Sequence, residues 1–283
     1  MNVYEVITER ILEQLEAGVV PWRRPWTMVD SKNVATGKKY RGVNSITLPG
    51  GLFATFKQVK ALGGHVKKGA HGFPVVFFSF PSGKEGEEEH EEETEKKGRT
   101  APIIRYYHVF RVEDCEGLEL EPIKGDEDKT TSIETAETIV QEMPNRPTII
   151  EKSSGEAYYC PSTDTVQIPD RNQFSRIEEF YSTLFHELSH STGHADRLGR
   201  KTLTAAAAFG SSPYGKEELV AEFGASFLCG TAKIDNTTIK NSASYIDSWK
   251  RVIKADSKLV LQAAGQAQRA ADYILGKKPL TVE

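Results

Sequence analysis

Of the 283 residues, the five that most constrain this chain are His186-Glu187-Leu188-Ser189-His190. Two histidines four positions apart lie one turn apart on a single face of an α-helix, where both imidazoles can grip one ion. The flanking sequence supplies that helix. Ser175 followed by Glu178 reads as a capping box, Phe180, Leu184 and Leu188 recur at helical spacing, and Gly193 reads as the stop. The pattern therefore predicts a helix-borne Zn²⁺ site with His186 and His190 as ligands, although another divalent metal would fit the same donors. Glu187 stands beside the first histidine and serves as general base.

A catalytic zinc usually takes three protein ligands and keeps a fourth position open. Glu218, in Glu217-Glu218-Leu219-Val220-Ala221-Glu222, is the chosen third ligand, because this run resembles the third-ligand helix of gluzincin metallopeptidases. Residues 218, 221, 222 and 225 share one helical face, and the small Ala221 and Ala225 let that face approach closely. Glu222 is the nearest rival, or a partner of a ligating histidine. Asp196 and His194 also compete, since His186-x-x-x-His190-x-x-Gly193-x-x-Asp196 looks like an elongated metzincin pattern ending in Asp. The segment Thr165 to Ile168 is a candidate edge strand for pairing with an extended peptide. Tyr158, Tyr159 and Tyr214 are given no catalytic role.

Length and punctuation divide the chain into an α+β front domain, 1–120, a linker, 121–131, and a back domain, 132–283. The front domain opens with an amphipathic helix carrying Val3, Val6, Ile7, Ile11, Leu12 and Leu15 and closed by Gly18. Pro21 to Tyr40 reads as loop, Thr55 to Leu62 as a short helix, and Phe73 to Phe80 and Ile103 to Val112 as strands. Between those strands lies a glutamate-rich insertion, 84–98, with eight glutamates from Glu85 to Glu95 and no apolar residue to bury. In the back domain, Ala157 to Cys160 and Thr165 to Ile168 read as strands. Helices are expected at Ser132 to Glu142, Lys216 to Cys229, Tyr245 to Val252 and Lys258 to Leu275. The longest apolar stretch is far short of a membrane span, and Glu5, Glu9 and Glu13 interrupt any export signal. Together with three scattered cysteines, these features predict a cytoplasmic protein with no membrane contact.

The formal net charge of −4 hides an asymmetry: residues 1–83 hold 11 Lys and Arg against 5 Asp and Glu. Cations there alternate with rings in Trp22-Arg23-Arg24-Pro25-Trp26 and Lys38-Lys39-Tyr40-Arg41, with Lys57, Lys67 and Lys68 further on. Phosphates meet Lys and Arg while bases stack on exposed rings, so this combination suits single-stranded DNA.

These segments, in this order, resemble the ArdC antirestriction family of plasmids and related mobile elements. In front the resemblance rests on VPWRRPW, ATGKKYRGVN, TFKQVKALGG, VKKGAHGFPVVF and YYHVFRVED; behind, on LFHELSHSTGHADRLGR, YGKEELVAEFGASFLC and AQRAADYILG. It implies a front domain that binds single-stranded DNA and a zincin-like metallopeptidase domain, together protecting incoming mobile-element DNA from host restriction. The competing expectation is a dedicated zinc metallopeptidase whose front domain docks a protein substrate.

Overall fold

A computed structural model describes residues 2–23, 30–79, 103–118, 120, 131–153, 155–204, 212–234 and 243–277. Arg24, Trp26, the acidic insertion 84–98 and the linker 121–131 apart from Thr131 lie outside the described residues. The chain divides into two compact units, Met1–Glu13 with Met28–Asp128, and Gln14–Thr27 with Lys129–Glu283. Gln14–Thr27 thus groups with the back unit rather than with an unbroken front domain. Its reason is apolar: Val20 and Trp22 are buried, and the Trp22 ring stands edge-on to Phe223 at 5.1 Å and to Trp249 at 5.8 Å.

The front unit begins in α1 (Val3–Glu16), which buries Ile7 and Ile11 and is followed by Gly18 at φ +78°, the left-handed position a helix-closing glycine takes. Then come β1 (Ser31–Asn33), α2 (Val43–Thr47), β2 (Gly51–Thr55), α3 (Phe56–Ala61), β3 (His65–Val66), β4 (Phe73–Ser79), β5 (Ile103–Arg111) and β6 (Cys115–Glu116). The main sheet has the order β1-β2-β5-β4; β1 runs parallel to β2 and the other pairs are antiparallel. Its core gathers Tyr40, Leu48, Phe53, Phe73, Val75 and Val109, with Phe53 edge-on to both Tyr40 and Phe73. The free edge of β4 is partly blocked, because the Asn44 side chain donates to Val76 O at 2.9 Å and accepts from Val76 N at 2.7 Å, as a partner strand would. Thr55 caps α3 reciprocally with Gln58.

The back unit contains α4 (Ser132–Glu142), β7 (Thr148–Lys152), β8 (Tyr158–Cys160), β9 (Thr165–Pro169), α5 (Ile177–Ser191), α6 (Lys201–Thr204), α7 (Ser212–Ala232), α8 (Ala243–Ala255) and α9 (Leu259–Ile274). Its sheet is ordered β7-β9-β8, so β9 is central, paired in parallel with β7 and antiparallel with β8. The expected edge strand at Thr165 to Ile168 is therefore corrected. Both its edges are already hydrogen-bonded, leaving no ladder free for a peptide. One core links Val166 and Ile168 of β9, Phe180, Leu184 and Leu188 of α5, Leu228 and Cys229 of α7, and Ala271 and Ile274 of α9. Each unit sets helices beside a small sheet of mixed strand direction, which makes the fold α+β. Among the described residues, no helix is long and apolar enough to cross a membrane, and Cys115, Cys160 and Cys229 form no disulfide.

Candidate metal centre

The histidine-bearing helix forms where the periodicity predicts it but begins differently. Arg176, without a side-chain cap, precedes Ile177, and Arg176 pairs with Glu178 at 3.3 Å. The Ser175 backbone N–H donates instead to Glu179 Oε2 at 3.2 Å, so the expected Ser175–Glu178 box is replaced by a contact one residue later. At the far end Thr192 caps the helix, and Gly193 is needed for room rather than for a left-handed turn. A Cβ there would lie 3.1 Å from an Arg200 guanidinium nitrogen and 2.9 Å from Leu203.

Phe180, Leu184 and Leu188 take one face of α5 into the core, which leaves His186 and His190 together on another. Their Nε2 atoms lie 3.2 Å apart. Helix α7 closes the group: a Cβ on Gly224 would sit 2.9 Å from Ser189 Cβ, so only glycine allows this approach of α7 to α5. Glu218 then places Oε2 3.6 Å from His186 Nε2 and Oε1 3.6 Å from His190 Nε2. One donor atom from each of the three residues lies within 4.8 Å of the others. Ligands 2.0–2.1 Å from a tetrahedral ion stand about 3.3 Å from one another, so two imidazoles and a carboxylate at these separations fit a divalent cation.

The electrostatics agree with that fit. Burial opposes charge on His186, but the Glu218 hydrogen bond and the charges of Glu187, Glu222 and Glu218 carry its pKa up to about 9. The place is built for positive charge. Glu187, next along the helix, is buried.

Glu217, which the sequence pattern left unassigned, is the partner of His190. Its Oε1 lies 3.3 Å from His190 Nδ1, an arrangement that fixes the ring and leaves Nε2 turned toward His186 and Glu218. Burial would raise the Glu217 pKa, yet His190 and Arg200 bring it down to about 2. Arg200, itself buried, donates to both carboxylate oxygens, to Thr192 Oγ1 and to Ser189 O, while Thr202 adds a bond at 2.6 Å. A usable signal was the adjacency of Glu217 to Glu218, which turns the two side chains about 100° apart on the helix. The rivals for third ligand are placed differently: Glu222 accepts hydrogen bonds from Arg23 and Tyr245, and Asp196 faces solvent, 3.6 Å from His194.

The described residues expected to meet DNA differ in their surroundings. Trp22 is buried and offers no ring face to a base, and Arg23, with its side chain 6% exposed, is spent on Glu222. Tyr40 is buried against Phe53, its hydroxyl accepting from Asn33 at 3.2 Å. Lys38, Lys39, Lys57, Lys67 and Lys68 are exposed, Arg41 is half-buried, and Lys39 pairs with Asp30 at 2.6 Å. Solvent-facing rings of this unit are instead Phe56, 53% exposed with Lys60 over it at 5.7 Å, and Tyr107, 47% exposed beside Phe77.

Known proteins match both parts. Residues 1–110 fit the model of the N-terminal domain of anti-restriction factor ArdC, and residues 134–266 fit that of a zincin-like metallopeptidase. The solved structures of the antirestriction ArdC protein from plasmid R388 align over 97% of each chain when metal-free and 98% when Mn(II)-bound. Their TM-scores are 0.71 and 0.70, both at 30% identity. The y4eC protein of Sinorhizobium fredii is 30% identical over 96% of this chain and 91% of its own length. Two Escherichia coli proteins named DNA primase TraC are 34% and 33% identical over 96% of this chain, which spans only 20% and 27% of them.

Proposed function

The chain belongs to the ArdC antirestriction family, and from that premise we propose that it binds single-stranded DNA through its front unit and carries a zinc-dependent peptidase-type centre in its back unit. In the cytoplasm these activities together would shield incoming mobile-element DNA from restriction. The observation that carries the reading is the convergence of His186, His190 and Glu218, with Glu187 beside them. The DNA half is supported by the exposed cations and rings of a unit that matches the ArdC N-terminal domain, and by the occurrence of the same module in proteins named DNA primases.

His186, His190 and Glu218 would hold the ion. A bound divalent cation supplies Lewis acidity, polarising a carbonyl and making water acidic enough to attack near neutral pH. Glu187 accepts the proton of the attacking water and then delivers it to the leaving nitrogen as the C–N bond breaks. Glu217 keeps His190 in one tautomer, and Arg200 keeps Glu217 ionised.

Two measurements on the full chain test this reading. Elemental analysis should find the metal retained in Glu187→Gln and lost in His190→Ala; equal metal in His190→Ala and wild type overturns the ligand set. Anisotropy of a labelled oligothymidine should show affinity falling with salt, at a log–log slope of roughly 0.7 per phosphate contact. Absence of affinity at low salt removes the DNA half and leaves a peptidase with a protein-docking front unit.

A further inference from the structure

Glu222 lies one turn after Glu218 on α7, and residues so spaced have Cβ atoms about 5–6 Å apart. A carboxylate in that place would ordinarily compete for the cation. Here its Oε1 instead accepts from Arg23 Nη2 at 2.9 Å and from the Tyr245 hydroxyl at 2.8 Å. The Arg23 guanidinium is itself stacked on the Tyr245 ring, 4.1 Å from its centroid, and Tyr245 leans edge-on against Trp249. Charge points the same way. Glu187, Glu217, Glu218 and Glu222 face two guanidiniums, Arg200 on Glu217 and Arg23 on Glu222, which leaves two negative charges to match a divalent ion.

We propose that Arg23 is a positioning residue of the metal centre: by holding Glu222 aside, it limits the protein ligands to two imidazoles and one carboxylate and keeps coordination positions open for reactants. The inference rests on the metal reading of His186, His190 and Glu218. Released, Glu222 would add a second carboxylate, crowding the ion and favouring hard, higher-coordinate Mn(II) over Zn(II).

Co(II) is the probe, because its visible bands weaken as its coordination number rises. Wild type and Arg23→Lys, which keeps the charge, should give the same spectrum. Arg23→Met should give weaker bands and shift the ratio of Mn(II) to Zn(II) affinity about tenfold toward Mn(II). Adding Glu222→Gln to Arg23→Met should restore both readouts. A merely structural Arg23 would lower the melting temperature with spectrum and metal preference unmoved, and that result overturns the proposal. If Arg23→Met does not fold, Tyr245→Phe, which removes the other bond on Glu222 without stranding a charge, should move the spectrum the same way; an unchanged spectrum there overturns the proposal too. Failure of wild type to bind Co(II) overturns both the metal reading and this one, whereas unchanged bands in a cobalt-binding variant overturn this one alone.

Discussion

The residues expected at the metal centre and those expected to meet DNA were chosen by different kinds of signal, and the two sets fared differently. In the back unit His186, His190 and Glu218 come together because helix geometry leaves no choice: two residues four apart on α5 share a face, and Gly224 admits α7 to close the third side. Between residues 22 and 68 an alternation of cations and rings carries no such geometry. Trp22 and Tyr40 are buried, Arg23 is bound to Glu222, and among the described residues of the front unit Phe56 and Tyr107 turn their rings to solvent. Spacing along a helix specifies placement, whereas composition along a loop specifies only availability.

The largest effect that could break this contrast is at the third ligand. Glu218→Ala should weaken metal retention by more than tenfold, while Asp196→Ala leaves it near wild type; the reverse ranking in chelator competition would move the ligand to the loop after α5. Next comes Trp22→Ala. A fully buried tryptophan against Phe223 and Trp249 should cost about 3–5 kcal/mol in denaturant unfolding. Stability unaffected, with DNA affinity lost, would return Trp22 to the DNA surface. Gly224→Ala should destabilise by about 1–3 kcal/mol despite the better helix propensity of alanine, because Ser189 occupies the added methyl's space. Metal affinity should fall with it.

On the front unit, Phe56→Ala or Tyr107→Ala should each cost about 1–3 kcal/mol of single-strand affinity without changing the salt slope, whereas Lys67→Ala or Lys68→Ala should reduce the slope. Equal losses from Tyr40→Ala in a protein of wild-type stability would contradict the burial of that ring. The smallest effect is an acid one. Arg197 forks onto Asp164 with two bonds at 2.8 Å and holds its carboxyl below the ordinary range. A lowered folded-state value stabilises above the unfolded pKa of about 3.9 and fades as pH falls through the folded value. The stability gap between wild type and Asp164→Asn should therefore close below about pH 4, as followed by circular dichroism.

Periodic elements were legible in advance: α1, α3, the strands β4 and β5 and the helices bearing the site all lie within a few residues of their expected places. Elements fixed by distant partners were not. Ser-Lys-Asn at β1 has no strand propensity and is extended because Ser31–Asn33 pairs with Gly51–Phe53. Strand β7, missed entirely, is set by its parallel register with β9, which in turn makes β9 central. At the site, the cluster of His186, His190 and Glu218 followed from one helix and a facing glutamate, but Arg200 and Arg23 reach Glu217 and Glu222 across 17 and 199 residues, separations that no local pattern records.

The docking of Val20, Trp22 and Arg23 among the helices of the back unit bears on where this protein can be divided. A cut in the charged stretch near residue 125 separates the zincin-like domain from everything before it, and so leaves Phe223 and Trp249 without their tryptophan and Glu222 without its arginine. Fragments beginning after that stretch should be poorly soluble and should regain order when a peptide spanning residues 14–27 is supplied in trans.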